Sequence, residues 1–164
     1  MNIRNVELAD AAQIAEIYDY YILNTHHTFE TEPLTAEEMG ARIGELSGQY
    51  PYLVAEDDNG EIQGYVYAAP FRMRQAYEHS VEASIYVRHG AKEKGVGSKL
   101  YAKFLEELAD TNVHAIMAGI SLPNDASVRF HQKLGFEKVA HFREVGYKLG
   151  RWVDVGFWEI MNKF

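Results

Sequence analysis

The spacing of apolar residues along the chain predicts a mixture of strands and helices. Apolar residues that recur every three or four positions mark a helix face, and strict alternation marks a half-buried strand. The predicted strands are 2–7, 52–56, 62–69, 80–87, 114–120, 136–145 and 153–161. Four helices are predicted. The first begins after Asp10 as its N-cap and the second covers 36–46. The third begins at the glycines of 95–97, and the fourth runs from Pro123 to about Leu134. Strands pair at both ends of this order, which indicates a mixed α/β fold and not a regularly alternating doubly wound sheet.

The predicted strand over 80–87 has two chemically different faces. Successive side chains of a strand point to opposite faces of the sheet, so one set is expected in the core and the other on a polar face. The apolar set is Val81, Ala83, Ile85 and Val87, and the polar set is Glu82, Ser84 and Tyr86.

Composition limits the function classes. The 164 residues suffice for a single domain over 1–164 with a full hydrophobic core. A net charge of -8 argues against general nucleic-acid binding, which needs a basic face. The absence of cysteine excludes disulfides, thiolate nucleophiles and cysteine-based metal sites. No run approaches the roughly 20 apolar residues of a membrane span, and acidic residues interrupt the N-terminal segment. We expect a cytoplasmic protein.

The glycines that follow the predicted strand over 80–87 form a candidate phosphate-binding turn. A P-loop needs Lys-Ser/Thr after its second glycine, and Val96-Gly97 stand there although Gly90 and Gly95 have the required spacing. The dinucleotide fingerprint needs a third glycine where Leu100 stands. Both of these templates therefore fail on specific residues.

A third template is a strand, a basic residue, x-x-Gly-x-Gly and then a helix. Residues 92–97 fit it, and main-chain N–H groups at such a helix start can converge on a pyrophosphate. Arg88, Lys92, Lys94 and Lys99 give the region positive charge. The glycines alone are equally compatible with a solvated turn that starts a helix.

Motifs elsewhere in the chain make the interpretation more specific. They are Phe29-Glu30-Thr31-Glu32-Pro33, Ala76-Tyr77, Glu82 with Ile85-Tyr86-Val87, Leu122-Pro123-Asn124-Asp125, Ser127-Val128-Arg129 with His131, and Gly146-Tyr147-Lys148 through Trp152 to Asp154-Val155-Gly156-Phe157-Trp158. Together they resemble the GNAT superfamily of N-acetyltransferases, and more closely its phosphinothricin and methionine sulfoximine acetyltransferase branch. The resemblance covers nearly the whole chain. Lys92 departs from the Arg or Gln of the wider family, which keeps the charge but loses the planar fork.

The resemblance implies a fold and a cosubstrate. The fold is a twisted, mostly antiparallel mixed sheet of about seven strands with about four helices, in which two splayed parallel strands form the acetyl-CoA site. The implied acetyl-CoA-binding residues are Ile85, Tyr86, Val87, Lys92, Glu93, Lys94, Gly95, Val96, Gly97, Ser98 and Asn124. Asn124 is also a natural helix N-cap, and the two roles are compatible. The histidines lack metal-ligand spacing, so no metal is expected.

The resemblance also implies which residues carry the chemistry. Glu82 corresponds to a carboxylate near the acceptor amine, and partial burial would raise its pKa toward a useful value. His131 occupies a position where the wider family usually has a Tyr thought to protonate the thiolate. A His there can act as an acid, a second base or a relay. A solvent-facing glutamate and a structural histidine remain the alternatives.

The implied acceptor site has a basic and an aromatic part. Its residues are Phe29, Arg72, Arg74, Tyr77 and Val155, and a guanidinium fork suits a carboxylate or phosphinate. Surface arginines and core side chains are the plain alternatives.

The resemblance thus suggests acetyl transfer to the free α-amine of a small amino-acid analogue such as phosphinothricin, methionine sulfoximine or methionine sulfone. With no cysteine to carry an acetyl-enzyme, direct transfer in a ternary complex is expected. The family further suggests a homodimer. The alternatives are a protein or peptide N-acetyltransferase, and a non-catalytic CoA-binding sensor module, which an intact Glu82 and His131 argue against.

Overall fold

A computed structural model describes residues 1–91 and 93–162 of the chain. Its helices are α1 (Ala11–Asn24), α2 (Ala36–Leu46), α3 (Val96–Ala109) and α4 (Asp125–Lys133). Its strands are β1 (Asn2–Asn5), β2 (Tyr52–Glu56), β3 (Ile62–Pro70), β4 (Ser80–Val87), β5 (Ala115–Leu122), β6 (Glu137–Lys148) and β7 (Arg151–Met161). Short 3-10 turns cover Leu8–Asp10 and Gln75–Tyr77.

The strands form a seven-stranded sheet in the order β1-β2-β3-β4-β5-β7-β6. The parallel pair is β4 with β5, and all other neighbours are antiparallel. The β4–β5 pairing covers only Ser80↔Ala115 to Glu82↔Met117, although both strands continue for several residues beyond it. The two strands therefore separate after Glu82 and leave an opening within the sheet. This arrangement confirms the expected mixed, mostly antiparallel fold with splayed parallel strands.

Apolar side chains cover both faces of the sheet. One cluster joins Val81 and Ala83 of β4 to Leu100 and Phe104 of α3. The other cluster packs α1 and α2 against β2 and β3. Burial of Val81 and Ala83 confirms the predicted apolar face of β4.

The opposite face of β4 carries the predicted polar set, and helix α1 covers it at Tyr86. Tyr86 packs edge-on against Tyr18 and Tyr21 of α1, with ring centroids 5.1 and 5.2 Å apart, and stacks on Tyr65 at 5.5 Å. Glu82, on the same face, is half-buried as well.

The first strand and helix differ from the prediction in detail. The strand stops at Asn5, and Asp10 precedes α1 without forming a side-chain cap. The carboxylate of Asp10 instead accepts two hydrogen bonds from the Arg4 guanidinium, at 2.8 and 2.9 Å, and one from the Glu7 N–H at 2.8 Å. A bidentate pair with arginine is among the strongest contacts that a carboxylate makes, and through it Asp10 joins β1 to the turn before α1.

The last two strands are longer than predicted. The hairpin between β6 and β7 closes with only Leu149 and Gly150, whose φ angles are 50° and 78°. Two consecutive left-handed residues are the signature of a type I′ turn, whose twist matches that of the flanking strands. The strands therefore continue to Lys148 and resume at Arg151, where the prediction had left a wider loop.

Candidate active site

The glycine turn forms the start of α3. Gly95 has a left-handed φ of 78°, and the first intrahelical bond runs from the Lys99 N–H to the Gly95 carbonyl at 3.0 Å. The N–H groups of Val96, Gly97 and Ser98 are consequently the free donors of the helix N-terminus. The Val96 side chain is buried in the core, so this residue offers its main chain alone. The turn thus supplies the donors that the sequence predicted for a diphosphate.

Some charged residues around the glycine turn are exposed to solvent, and others form contacts within the protein. Lys94 and Lys99 are exposed, and Glu93 lies 3.8 Å from the N-terminal ammonium. Arg88 is engaged elsewhere, because its Nε donates to the Ile62 carbonyl at 2.7 Å. Lys92 lies outside the described residues.

A cleft of about 320 Å³ fills the opening between β4 and β5. Its walls come from α4 and the start of α3 as well as from the two strands. The predicted cofactor residues that line it are Ile85, Tyr86, Val87, Gly97 and Asn124. His131 also lines it, so a candidate catalytic group and the proposed cofactor strand share one cavity.

Tyr21 is a residue of this cleft that the sequence analysis assigned only to a helix face. Its hydroxyl donates to the Val87 carbonyl at 2.5 Å. The Tyr21 hydroxyl therefore already satisfies one carbonyl of the predicted pantetheine strand. Nothing local in the sequence reports this contact, because the two residues are 66 positions apart.

The structure is compatible with both roles considered for Asn124, as the N-cap of α4 and as a residue that binds acetyl-CoA. Its Oδ1 accepts the Ser127 N–H at 3.2 Å and so caps α4. The side-chain amide retains its NH₂ group as a donor. Asn124 can therefore cap the helix and still donate into the cleft that it lines.

His131 is buried, with 4% of its surface exposed, beside the rings of Tyr101, Phe130 and Phe136. Its Nδ1 lies 2.9 Å from the Ser127 carbonyl oxygen. Since a carbonyl only accepts hydrogen bonds, Nδ1 carries the proton and Nε2 of the neutral ring is an acceptor. Burial lowers the pKa of His131, and the bond to Ser127 opposes this only in part. The neutral ring is therefore favoured near neutral pH.

Glu82 is the last residue of β4 that pairs with β5, so it lies where the two strands separate. Burial raises the pKa of its carboxyl group, and the positive charge of Arg72 lowers it by a smaller amount. On β5, a methyl group built on Gly119 would lie 2.9 Å from Glu82 Oε1 and 3.2 Å from the Phe157 ring. The missing side chain of Gly119 thus makes room for the carboxylate. Sequence inspection had not identified Gly119.

An aromatic cluster extends from Glu82 toward the predicted acceptor residues. The Phe157 ring meets Phe71 and Phe142 edge-on, at 6.2 and 6.0 Å between centroids. Phe71 also meets Tyr77 at 5.9 Å, and the Arg72 guanidinium carbon lies 4.2 Å from the Phe71 ring centroid. Arg72 and Tyr77 are therefore brought close to the same aromatic group.

The other predicted acceptor residues are placed less uniformly. Val155 pairs with Phe142 across β6 and β7. The Phe29 ring lies on Gly146 of β6, 2.4 Å from where a Cβ would stand. Arg74 is exposed before the 3-10 turn and has no side-chain hydrogen bond or ion pair with the described part of the chain. Arg72 and Tyr77 both lie against the Phe71 ring, so the structure supports a shared site for these two residues and gives no such support for Arg74.

The described residues contain neither a metal-binding cluster nor a membrane-spanning helix. Within residues 1–91 and 93–162, no group of three or more His, Asp or Glu side chains is arranged to hold a metal ion. In the same residues, no helix has both the length and the apolar character needed to cross a bilayer.

Comparison with known proteins places this geometry in a family. A family model described as an acetyltransferase (GNAT) domain matches residues 3–156. Phosphinothricin N-acetyltransferase from Streptomyces coelicolor is 43% identical over 155 residues, which cover 92% of this chain and 90% of that protein.

Solved structures agree on the fold. A GNAT superfamily phosphinothricin acetyltransferase from Sinorhizobium meliloti, in complex with acetyl-CoA, has a TM-score of 0.93 and 35% identity, covering 98% of this chain and 88% of its own. Ribosomal-protein-alanine N-acetyltransferase from Brucella melitensis has a TM-score of 0.94 and 33% identity, covering 98% and 99%. The fold by itself therefore does not choose the acceptor. The chain belongs to the GNAT acetyltransferases, in the branch of the phosphinothricin and methionine sulfoximine N-acetyltransferases.

Proposed function

We propose that this enzyme transfers the acetyl group of acetyl-CoA to the free α-amine of a small amino-acid analogue such as phosphinothricin, methionine sulfoximine or methionine sulfone. One observation carries the proposal. A half-buried carboxylate, Glu82, lies where β4 and β5 separate, between the cleft and an aromatic cluster that holds Arg72. A base at this point reaches a thioester delivered from one side and an amine delivered from the other.

Acetyl-CoA is proposed to bind along the glycine turn and β4. The N–H groups of 96–98 and the dipole of α3 suit the diphosphate. The pantetheine arm adds to the edge of β4 over Ile85–Val87, where β5 has separated, and Asn124 donates to one of its carbonyls. Because Tyr21 already donates to Val87, the pantetheine bonds fall on the other main-chain groups.

The transfer itself needs a proton acceptor first. The α-amine is largely protonated near neutral pH and must lose a proton before it attacks. Glu82 takes that proton, and the amine nitrogen then forms its bond to the thioester carbonyl carbon. As the tetrahedral intermediate collapses, the nitrogen loses its second proton, the C–S bond breaks and the CoA thiolate leaves. Both substrates are bound together, since the chain has no cysteine to hold the acetyl group.

His131 is proposed as a second base or relay, because its neutral resting ring cannot act as an acid. Its Nδ1 proton is committed to the Ser127 carbonyl, so Nε2 of the neutral ring has no proton to give. The lowered pKa further disfavours the imidazolium. Nε2 accepts the second proton that the attacking nitrogen loses and passes it to the departing thiolate.

Arg72 is proposed to bind the acidic group of the acceptor. We expect Arg72→Gln to raise the KM for phosphinothricin about tenfold or more, as loss of a charge-assisted hydrogen bond does, with little change in the KM for acetyl-CoA. Because Arg72 lowers the pKa of Glu82, its loss also moves the acid limb of the rate profile to higher pH. Steady-state kinetics between pH 5 and 9 measure both effects. An unchanged KM and an unchanged limb would remove Arg72 from the site.

A thiol-release assay against a panel of amines tests the proposed function. Release with phosphinothricin or methionine sulfoximine, and not with an alanyl peptide or a lysyl peptide, is the expected result. Preference for the peptides would favour a protein acetyltransferase. Stabilisation by acetyl-CoA without release from any amine would instead indicate a sensor module.

We also propose a homodimer, on the strength of the β6–β7 hairpin at the sheet edge. Its exposed large apolar side chains are Val139, Phe142, Val145, Tyr147, Leu149, Trp152 and Met161. A concentration of such residues marks an association surface. Sedimentation equilibrium is expected to show a mass near twice 18.7 kDa; a monomer at micromolar concentration would contradict the dimer.

A further inference from the structure

We propose that Lys148 is a positioning residue for the acceptor, because its ammonium anchors the segment 25–30 that presents Phe29. The inference rests on the proposed function, and on Phe29 as one of the acceptor residues that the family resemblance implies. Strand β6 has two lysines, of which Lys138 is exposed and Lys148 is buried.

The ammonium of Lys148 lies deep under the loop between α1 and α2. Only 3% of the residue is exposed. Its Nζ donates to the Thr28 carbonyl at 2.7 Å and to the Tyr21 carbonyl at 3.4 Å. Burial lowers the pKa of the amine, and the charge of Glu30 opposes that shift. A lysine in such a place is costly unless its donors are used.

The two carbonyls that Lys148 contacts differ in their other hydrogen-bond partners. The Tyr21 carbonyl, in the last turn of α1, already accepts from the N–H and the hydroxyl of Thr25 at 3.2 and 2.8 Å, and the helix dipole there favours a cation. The carbonyl of Thr28 lies in a buried residue of irregular backbone. One ammonium from β6 thus joins the end of α1 to the following loop, across 120 positions of sequence.

A second contact from the same strand acts on the neighbouring residue. The Phe29 ring occupies the space in which a side chain at Gly146 would stand, with ring atoms 2.4 and 2.5 Å from the ideal Cβ. Gly146 follows an irregularity in β6, where Phe142 pairs with Val155 but Gly146 pairs with Val153. Strand β6 therefore holds Thr28 by a hydrogen bond and Phe29 by close packing.

The far end of the segment is fixed independently of β6. Glu30 binds the guanidinium of Arg42 on α2 and the hydroxyl of Tyr18 on α1. The Tyr18 hydroxyl also lies 2.7 Å from Thr28 Oγ1. With Glu30 held by the helices, Lys148 and Gly146 decide how Phe29 is presented between the helices and β6.

If segment 25–30 is ordered before the acceptor binds, no free energy of binding is lost in ordering it. Loss of the Lys148 anchor should therefore weaken acceptor binding while the glycine turn and β4 still bind acetyl-CoA. A purely structural lysine would not separate the two Michaelis constants in this way.

The test compares Lys148→Met with Lys103→Met, an exposed lysine of α3. We expect Lys148→Met to raise the KM for phosphinothricin about tenfold, the cost of ordering one or two side chains, and the KM for acetyl-CoA less than about twofold. Hydrogen exchange of the free enzyme should quicken at 25–30 and stay unchanged at 93–98. Lys103→Met should match the unmodified enzyme in every measurement.

Gly146→Ala provides an independent variant that leaves the ammonium in place and displaces Phe29. It should likewise raise the KM for phosphinothricin while changing the KM for acetyl-CoA little. This variant serves as the test of the anchor if Lys148→Met does not fold. Equal changes in both constants, or no change at 25–30 in exchange, would overturn the inference. If the unmodified enzyme acetylates no amino-acid analogue, the proposed function fails, whereas the exchange data still test the anchor.

Discussion

Replacement of Glu82 by Gln is expected to lower kcat by about 10²–10⁴-fold, the usual contribution of a positioned general base. Gln keeps the size and polarity of the side chain but cannot accept the amine proton. The KM for acetyl-CoA should change little, because the diphosphate and pantetheine contacts lie on other residues. Thiol release under saturating acetyl-CoA and phosphinothricin measures the effect.

The pH dependence of the unmodified enzyme gives a second readout for Glu82. Burial raises the pKa of this carboxyl group, so protonation inactivates the base at a higher pH than for an exposed glutamate. Activity is therefore full above the raised pKa and is lost as the pH falls through it. Glu78→Gln, at an exposed glutamate just before β4, is the matched control. A Glu82→Gln enzyme with full turnover at neutral pH would end its assignment as base.

Replacement of Gly119 by Ala is expected to lower kcat by about 10²-fold, the scale associated with a 1 Å displacement of a reacting group. The new methyl group would stand 2.9 Å from Glu82 Oε1 and about as close to the Phe157 ring, at 3.2 Å. The carboxylate must then move away from the opening between β4 and β5. Single-turnover kinetics with bound acetyl-CoA separate this effect on chemistry from an effect on binding.

Gly44→Ala on α2 is the control for the Gly119 substitution, since a methyl group there meets no atom within 4 Å. It should leave kcat unchanged and stabilise the helix slightly. Thermal unfolding of both variants shows whether the fold is intact. A folded Gly119→Ala enzyme with normal kcat would mean that the carboxylate position is not critical.

Local patterns in the sequence predicted most of the fold. Alternation defined β4 with its bounds at Ser80 and Val87, and helical periodicity defined α2 over Ala36–Leu46. The glycine turn could be predicted because its geometry depends on neighbouring residues, namely a left-handed Gly95 and the helix that follows. A turn around Lys148-Leu149-Gly150 was predicted, but its two-residue type I′ form was missed, because leucine rarely adopts the positive φ that this turn requires.

The candidate site was less predictable wherever its contacts join distant parts of the chain. Glu82 was recognised through a family motif, whereas the space that Gly119 gives it depends on the pairing of β4 with β5. Tyr21 and Lys148 meet partners 66 and 120 positions away, and either residue alone resembles a core or surface position. The sequence around Asp10 favoured a helix cap, but Arg4 offered the carboxylate a stronger partner.

A crystal of this enzyme soaked with acetyl-CoA tests the central claim most directly. The account predicts the diphosphate on the main-chain N–H groups of 96–98, the pantetheine beside Ile85–Val87, and the acetyl carbon in the opening beside the Glu82 carboxylate. A cosubstrate bound away from the start of α3, or an acetyl group remote from Glu82, would contradict the account.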